Sequence, residues 1–217
     1  MDLPGWQALY EELGPQGLEI ISVAQDTGGE AVAGRWFDRA EATFTQIVDE
    51  NHLISRLYNM VNVPTGVWID EEGRIVRPNE TAFTSNSENP IAGKTMTIRG
   101  GDYTAALRDW VEKGADSEFA LSRDEIVERQ TPRTSEQADA DAYFQLGNHF
   151  HRSGDEELAN RYWAAAQTRL PESWNFHRQD WSFTPEEAGA NWVQKYLALG
   201  DEQYYPAADL PRLSDGP

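Results

Sequence analysis

The sequence predicts an α/β domain over residues 1–115 followed by an α-helical domain over 116–217. Three observations carry this division. From Leu3 to Arg77, helical apolar spacing alternates with short β-rich runs, the pattern of strands packed against helices. A turn-forming linker, Thr131-Pro132-Arg133-Thr134-Ser135, then interrupts the chain. Beyond it, small and aromatic residues recur at the spacing of a helical hairpin, with no further strand pattern.

The first helix covers Leu3 to Leu13, with Leu3, Trp6, Leu9, Tyr10 and Leu13 on one face and Pro4 in the first turn. Gly14-Pro15-Gln16-Gly17 stops it, and Leu18 to Ala24 follows as a short buried strand. After the loop 25–29, Val32, Trp36, Phe37 and Ala40 mark a second helix that leads to the extended segment Thr43 to Asp49 and a helical turn from Leu53 to Tyr58. Val61 to Asp70, Glu71-Glu72-Gly73 and Arg74 to Arg77 read as a strand, a tight turn and its antiparallel partner. Pro78 to Gly101 is polar and aperiodic, and is expected to be an inserted loop. A helix from Asp102, carrying Tyr103, Ala106, Leu107, Trp110 and Val111, closes the unit at Gly114. Ser122-Arg123-Asp124-Glu125 offers a capping box for a short helix ending near Gln130.

Taken together, these elements resemble the thioredoxin-like superfamily, in its TlpA/ResA and AhpC/TSA redoxin branch, over roughly the first half of the chain. The resemblance implies that Pro64 is cis, and that Val63, Pro64 and Thr65 receive a thiol or disulfide substrate through backbone hydrogen bonds. It also implies a C-x-x-C motif at the amino end of the helix that starts at Leu3-Pro4, at positions that precede Met1. The chain has no cysteine. Thiol-disulfide exchange needs a thiolate, and Met1, Met60 and Met96 oxidise only to sulfoxides.

The family's central strand, between those resembling Leu18–Ala24 and Thr65–Asp70, is missing too. Each buried backbone group left unpaired costs about 1 to 3 kcal/mol. The expectation is therefore an amino-terminally truncated fold: the natural protein extends upstream of Met1, through a misassigned start or a selenocysteine codon read as a stop. The competing expectation is a true truncation whose strands re-pair or recruit a partner.

Past the linker, Tyr143, Leu146, Gly147, Phe150, Gly154, Ala159, Trp163, Ala166 and Pro171 resemble one tetratricopeptide repeat over residues 140–173, a period of about 34 residues. A lone repeat needs neighbours to cover its apolar face. Ser173 to Trp181 and Thr184 to Leu199 are candidates, and the tail from Tyr204 to Pro217 is expected to be irregular and frayed at its end.

A net charge of −19 argues against nucleic-acid and anionic-membrane surfaces as partners. No run reaches transmembrane length. The compartment follows the start of the chain: cytoplasmic as written, extracytoplasmic where a signal peptide precedes it. No cofactor or metal site is expected. His149 and His151 lie two apart on one helix, point to different faces and are expected to be solvated. Glu71-Glu72 reads as a turn, and Asp124, Glu125 and Glu128 as a solvated helix start. Neither a G-x-S-x-G elbow nor a phosphate loop is present. Trp6, Trp36, Trp68 and Trp110 are expected in the core.

Two readings of function remain. One is a thiol- or selenol-based oxidoreductase of redoxin type whose nucleophile lies upstream, with a protein thiol or disulfide as substrate and a protein partner held by the helical region. The other is a non-catalytic protein or peptide binding module built on the tetratricopeptide-like region.

Overall fold

Leu9 and Leu13, one turn apart on the inner face of α1 (Leu3–Leu13), are 3% and 2% exposed and seed the first core. The computed structural model describes residues 2–130, 132–205 and 208–210. After α1 come β1 (Ile21–Gln25), α2 (Glu30–Ala40), β2 (Thr45–Asp49), α3 (Leu53–Leu57), β3 (Thr65–Ile69), β4 (Ile75–Thr81), β5 (Asn86–Ile91), β6 (Lys94–Arg99) and α4 (Gly100–Lys113). Five more helices follow: α5 (Arg123–Arg129), α6 (Ser135–Arg152), α7 (Glu156–Arg169), α8 (Trp174–Ser182) and α9 (Pro185–Ala198). Among the described residues no helix is long and apolar enough to cross a membrane.

The strands form three separate ladders. β1 runs parallel to β2, from Ile21 opposite Thr45 to Gln25 opposite Asp49. β3 and β4 are antiparallel, as are β5 and β6. In the β3–β4 ladder, Gly66 faces Glu80 and Trp68 faces Arg77, so Pro78 and Asn79 bulge opposite Val67. A bulge tolerates a residue with no N–H to give. β1 pairs only with β2 and β3 only with β4, so each has one unpaired edge among the described residues.

α1 and α4 pack around Trp68 of β3. Its indole stacks on Trp110 at 5.1 Å and meets Tyr103 edge-on, and its Nε1 donates to Tyr103 Oη at 2.8 Å. Gly66 is required opposite, because a Cβ there would strike the Tyr103 hydroxyl.

Several expectations are corrected. β1 is not a buried strand: Ile21 is 62% exposed and the rest is half-buried, since the strand has a neighbour on one side only. Pro78–Gly101 is not an irregular loop: β4 runs to Thr81, and β5 and β6 form a hairpin. Its turn residues, Ala92 and Gly93, both have positive φ (48° and 86°), as a two-residue primed turn requires. Trp36 is 37% exposed rather than core, with the Arg35 guanidinium 5.1 Å from its ring. The start of the tail is irregular but packed: Tyr204 is 6% exposed against Trp174 and Tyr196, in a core that reaches Ile91 and Met96 of the hairpin. The expectation for 206–207 and 211–217 lies outside the described residues.

The helical part is built on close approach. Trp163 of α7, 2% exposed, sits against Gly147 of α6, and its Nε1 donates to Asn148 Oδ1 at 3.0 Å. Gly154 turns the chain between them at φ 82°. Thr134 and Gln137 form a capping box on α6, as Ser122 and Glu125 do on α5.

Candidate functional site

The loop from Met60 to Thr65 leaves α3 and delivers the chain into β3. Its Val63–Pro64 peptide is cis, as the resemblance implies. Asn62, 7% exposed, organises the loop: its Oδ1 accepts the Val63 N–H at 2.9 Å, and its main-chain oxygen accepts the Thr65 hydroxyl at 2.6 Å. The Asn62 Nδ2 donates to the Tyr204 carbonyl at 3.2 Å. The Pro64 carbonyl accepts Ala82 N–H at 3.3 Å, beside the pairing of Thr65 with Thr81.

The helical part supplies the rest. Asn175, at the start of α8, donates its N–H to the Val61 carbonyl at 3.2 Å and its amide to the Met60 carbonyl at 2.8 Å. Tyr205 Oη donates to the Val63 carbonyl at 2.9 Å, and its ring meets Phe83 edge-on at 5.5 Å. Arg178 of α8 donates to the Tyr204 hydroxyl and lies 3.5 Å from the Tyr205 hydroxyl, while its Nε is buried with no partner among the described residues. Burial and the Tyr204 phenol push Tyr205 above the ordinary phenol range, with Arg178 pulling the other way. Tyr205 therefore stays protonated and acts as a donor.

Val63, Pro64 and Thr65 are thus contiguous and ordered by Asn62, Asn175 and Tyr205, none of which the sequence singled out. The arrangement offers backbone pairing and phenol donors. It holds no thiol.

A second buried cluster lies at the carboxyl ends of β1 and β2. Gln179 Oε1 accepts the Thr27 N–H and the His52 Nε2–H, both at 2.9 Å. This network assigns the His52 proton to Nε2. Nδ1 is buried with no partner among the described residues, and burial holds the imidazole pKa below its ordinary value despite Gln179 and Asp49. The signal available for His52 was its place just after a strand, where α/β sheets gather functional groups. His149 is exposed as expected. His151 is not simply solvated: it pairs with Glu156 at 2.9 Å and lies 4.0 Å from the Phe183 ring, because the start of α7 and the end of α8 fold over it. Among the described residues no three His, Asp or Glu side chains gather as metal ligands.

Two curated proteins align with this chain. The thiol-disulfide oxidoreductase ResA of Oceanobacillus iheyensis is 32% identical over 83 residues, 38% of this chain and 43% of that protein. The thiol-disulfide oxidoreductase ResA of Halalkalibacterium halodurans is 30% identical over 83 residues, 38% of this chain and 47% of that one. The aligned segment spans less than half the length of either relative. No family model matches the chain, and no solved structure matches it at a significant level. The two alignments support an origin in the thioredoxin-like redoxins, consistent with the mixed α/β architecture.

Proposed function

We propose that this chain is the docking part of a redoxin-type thiol-disulfide oxidoreductase, in which Val63, Pro64 and Thr65 receive the substrate and the thiol or selenol comes from a segment outside these 217 residues. The observation that carries the reading is β3: it opens directly from the Val63–Pro64 loop, and its edge away from β4 has no partner strand among the described residues. One strand inserted between the unpaired edges of β1 and β3 would join the two ladders and bring a redox group to the loop. In the reaction, a thiolate attacks one sulfur of a disulfide, the S–S bond breaks and the second sulfur leaves as a thiolate. The chain as written supplies no attacking group. On this reading residues 1–115 carry the redoxin unit, and the tetratricopeptide-like pair α6–α7 holds a protein partner.

The test is insulin reduction by dithiothreitol. The 217-residue chain should leave the uncatalysed rate unchanged, and the polypeptide purified from the native source should raise it. A native polypeptide without a thiol or selenol, inert in the assay, would favour the second reading, a non-catalytic binding module. The observation on that side is the half-buried ladder on α6–α7, where Tyr162 stacks on Tyr143 at 5.9 Å and on Phe150 at 5.3 Å.

A further inference from the structure

We propose that Tyr205 is a built-in gate on the docking loop, a side chain that occupies the Val63 carbonyl until an extended peptide substrate displaces it. This inference rests on the reading of Val63–Thr65 as the docking site. An extended peptide that adds to a strand or its leading loop pairs with one N–H and one C=O of the same residue. At Val63 both groups are already engaged within the chain, the N–H by Asn62 Oδ1 and the C=O by Tyr205 Oη, each at 2.9 Å.

Asn62 links the two engagements. The same amide that holds the Val63 N–H through its oxygen holds the Tyr204 carbonyl through its nitrogen, so the loop and the tyrosine pair are tied at one side chain. The two tyrosines divide the work. Tyr204 is 6% exposed, packs edge-on against Trp174 at 4.4 Å and accepts hydrogen bonds from Trp192 and Arg178. It is the fixed point. Tyr205 is half-buried, its ring edge-on to Phe83 at 5.5 Å and to Tyr204 at 4.3 Å, so it is the outer member of the pair and the one whose hydroxyl an incoming chain meets. Departure of Tyr205 would uncover the Val63 carbonyl beside the Arg178 guanidinium, whose Nε has no partner among the described residues. The ligand class that fits is a disulfide-bearing peptide in extended conformation, with the chain's own phenol as its competitor.

The experiment titrates a short uncharged peptide closed by one disulfide into the isotope-labelled full chain, following the amides of Thr65 and Trp68. Tyr205→Phe keeps the ring and removes the donor; Phe83→Leu keeps the donor and removes the ring's partner, so the test does not hang on one variant. Both should bind the peptide about three- to tenfold more tightly than the unaltered chain, Tyr205→Phe by the one net hydrogen bond it removes and Phe83→Leu by the aromatic contact it removes. Equal affinity in all three chains overturns the gate and leaves the docking site standing. No response at Thr65 or Trp68 in any of them overturns the docking site and the gate together.

Discussion

His52 Nε2 lies 2.9 Å from Gln179 Oε1, and this bond ties the carboxyl end of β2 to helix α8 deep inside the molecule. Gln179 binds the Thr27 N–H through the same oxygen, so one amide fixes both parallel strands against the helices. Gln179→Leu should leave the buried Thr27 N–H unpaired and the His52 Nε2–H with only the Thr27 hydroxyl at 3.4 Å, at about 1 to 3 kcal/mol for the first, and lower the urea midpoint without changing the slope. An unchanged midpoint would mean that the junction carries no stability.

Stability should fall with acid on the histidine side. Burial, aided by the Lys195 charge, pushes His177 from 6.5 down to about 4, and burial lowers His52 as well. Below about pH 6.5 the unfolded chain takes up protons that the folded one refuses, so the contribution is whole above pH 6.5 and drains away towards about pH 4. Asp141 and Asp180, raised by burial, act in the opposite sense and offset part of the loss at the acid end. In urea unfolding at pH 7 and pH 5, His177→Gln should lose less stability between the two than the unaltered chain. Equal losses contradict the assignment.

Gly147→Ala sets two effects against each other. Alanine favours a helix over glycine by roughly 1 kcal/mol, but here its Cβ would meet the Trp163 indole, which is 2% exposed and bonded to Asn148. Overpacking of a rigid ring costs about 1 to 3 kcal/mol and should win. The thermal midpoint is expected to drop, and a rise would show that α6 and α7 can separate freely.

Tyr103→Phe removes only an oxygen. The Trp68 Nε1–H then has no acceptor in a buried site, and the loss should reach about 1 to 3 kcal/mol. Fluorescence-detected unfolding reads it, and a neutral result would place water or another acceptor at Trp68.

Arg77→Met tests the most enclosed cation. Arg77 is 1% exposed, pairs with Glu80 at 3.0 Å and donates to the carbonyls of Phe119 and Asp209. Its loss strands the Glu80 carboxylate, at about 3 to 5 kcal/mol. Arg77→Met with Glu80→Gln should recover part of this, and a double variant no better than the single would remove the ion pair from the account.

Local signals were legible where one residue type determines the backbone. The capping box at Ser122, the turn at Gly73 and the helix-hairpin turn at Gly154 lie close to where spacing put them, whereas Thr134, read as linker, caps α6 with Gln137. The β5–β6 hairpin was hidden because Ala92 holds a positive-φ site usually given to Asn, Asp or Gly. The roles of Asn62, Gln179 and Tyr205 were not legible, since the partners that define them lie more than a hundred residues away in sequence. Val63, Pro64 and Thr65 were singled out through the resemblance; the phenol that bonds the Val63 carbonyl comes from the far end of the chain.

The most direct measurement is the intact mass of the protein from its native source, taken before and after alkylation of thiols and selenols. The account expects a mass above 24.5 kDa and at least one alkylated group. A mass of 24.5 kDa with nothing alkylated would contradict it, and would leave the Val63–Pro64 loop and its tyrosine gate without a redox partner in the same polypeptide.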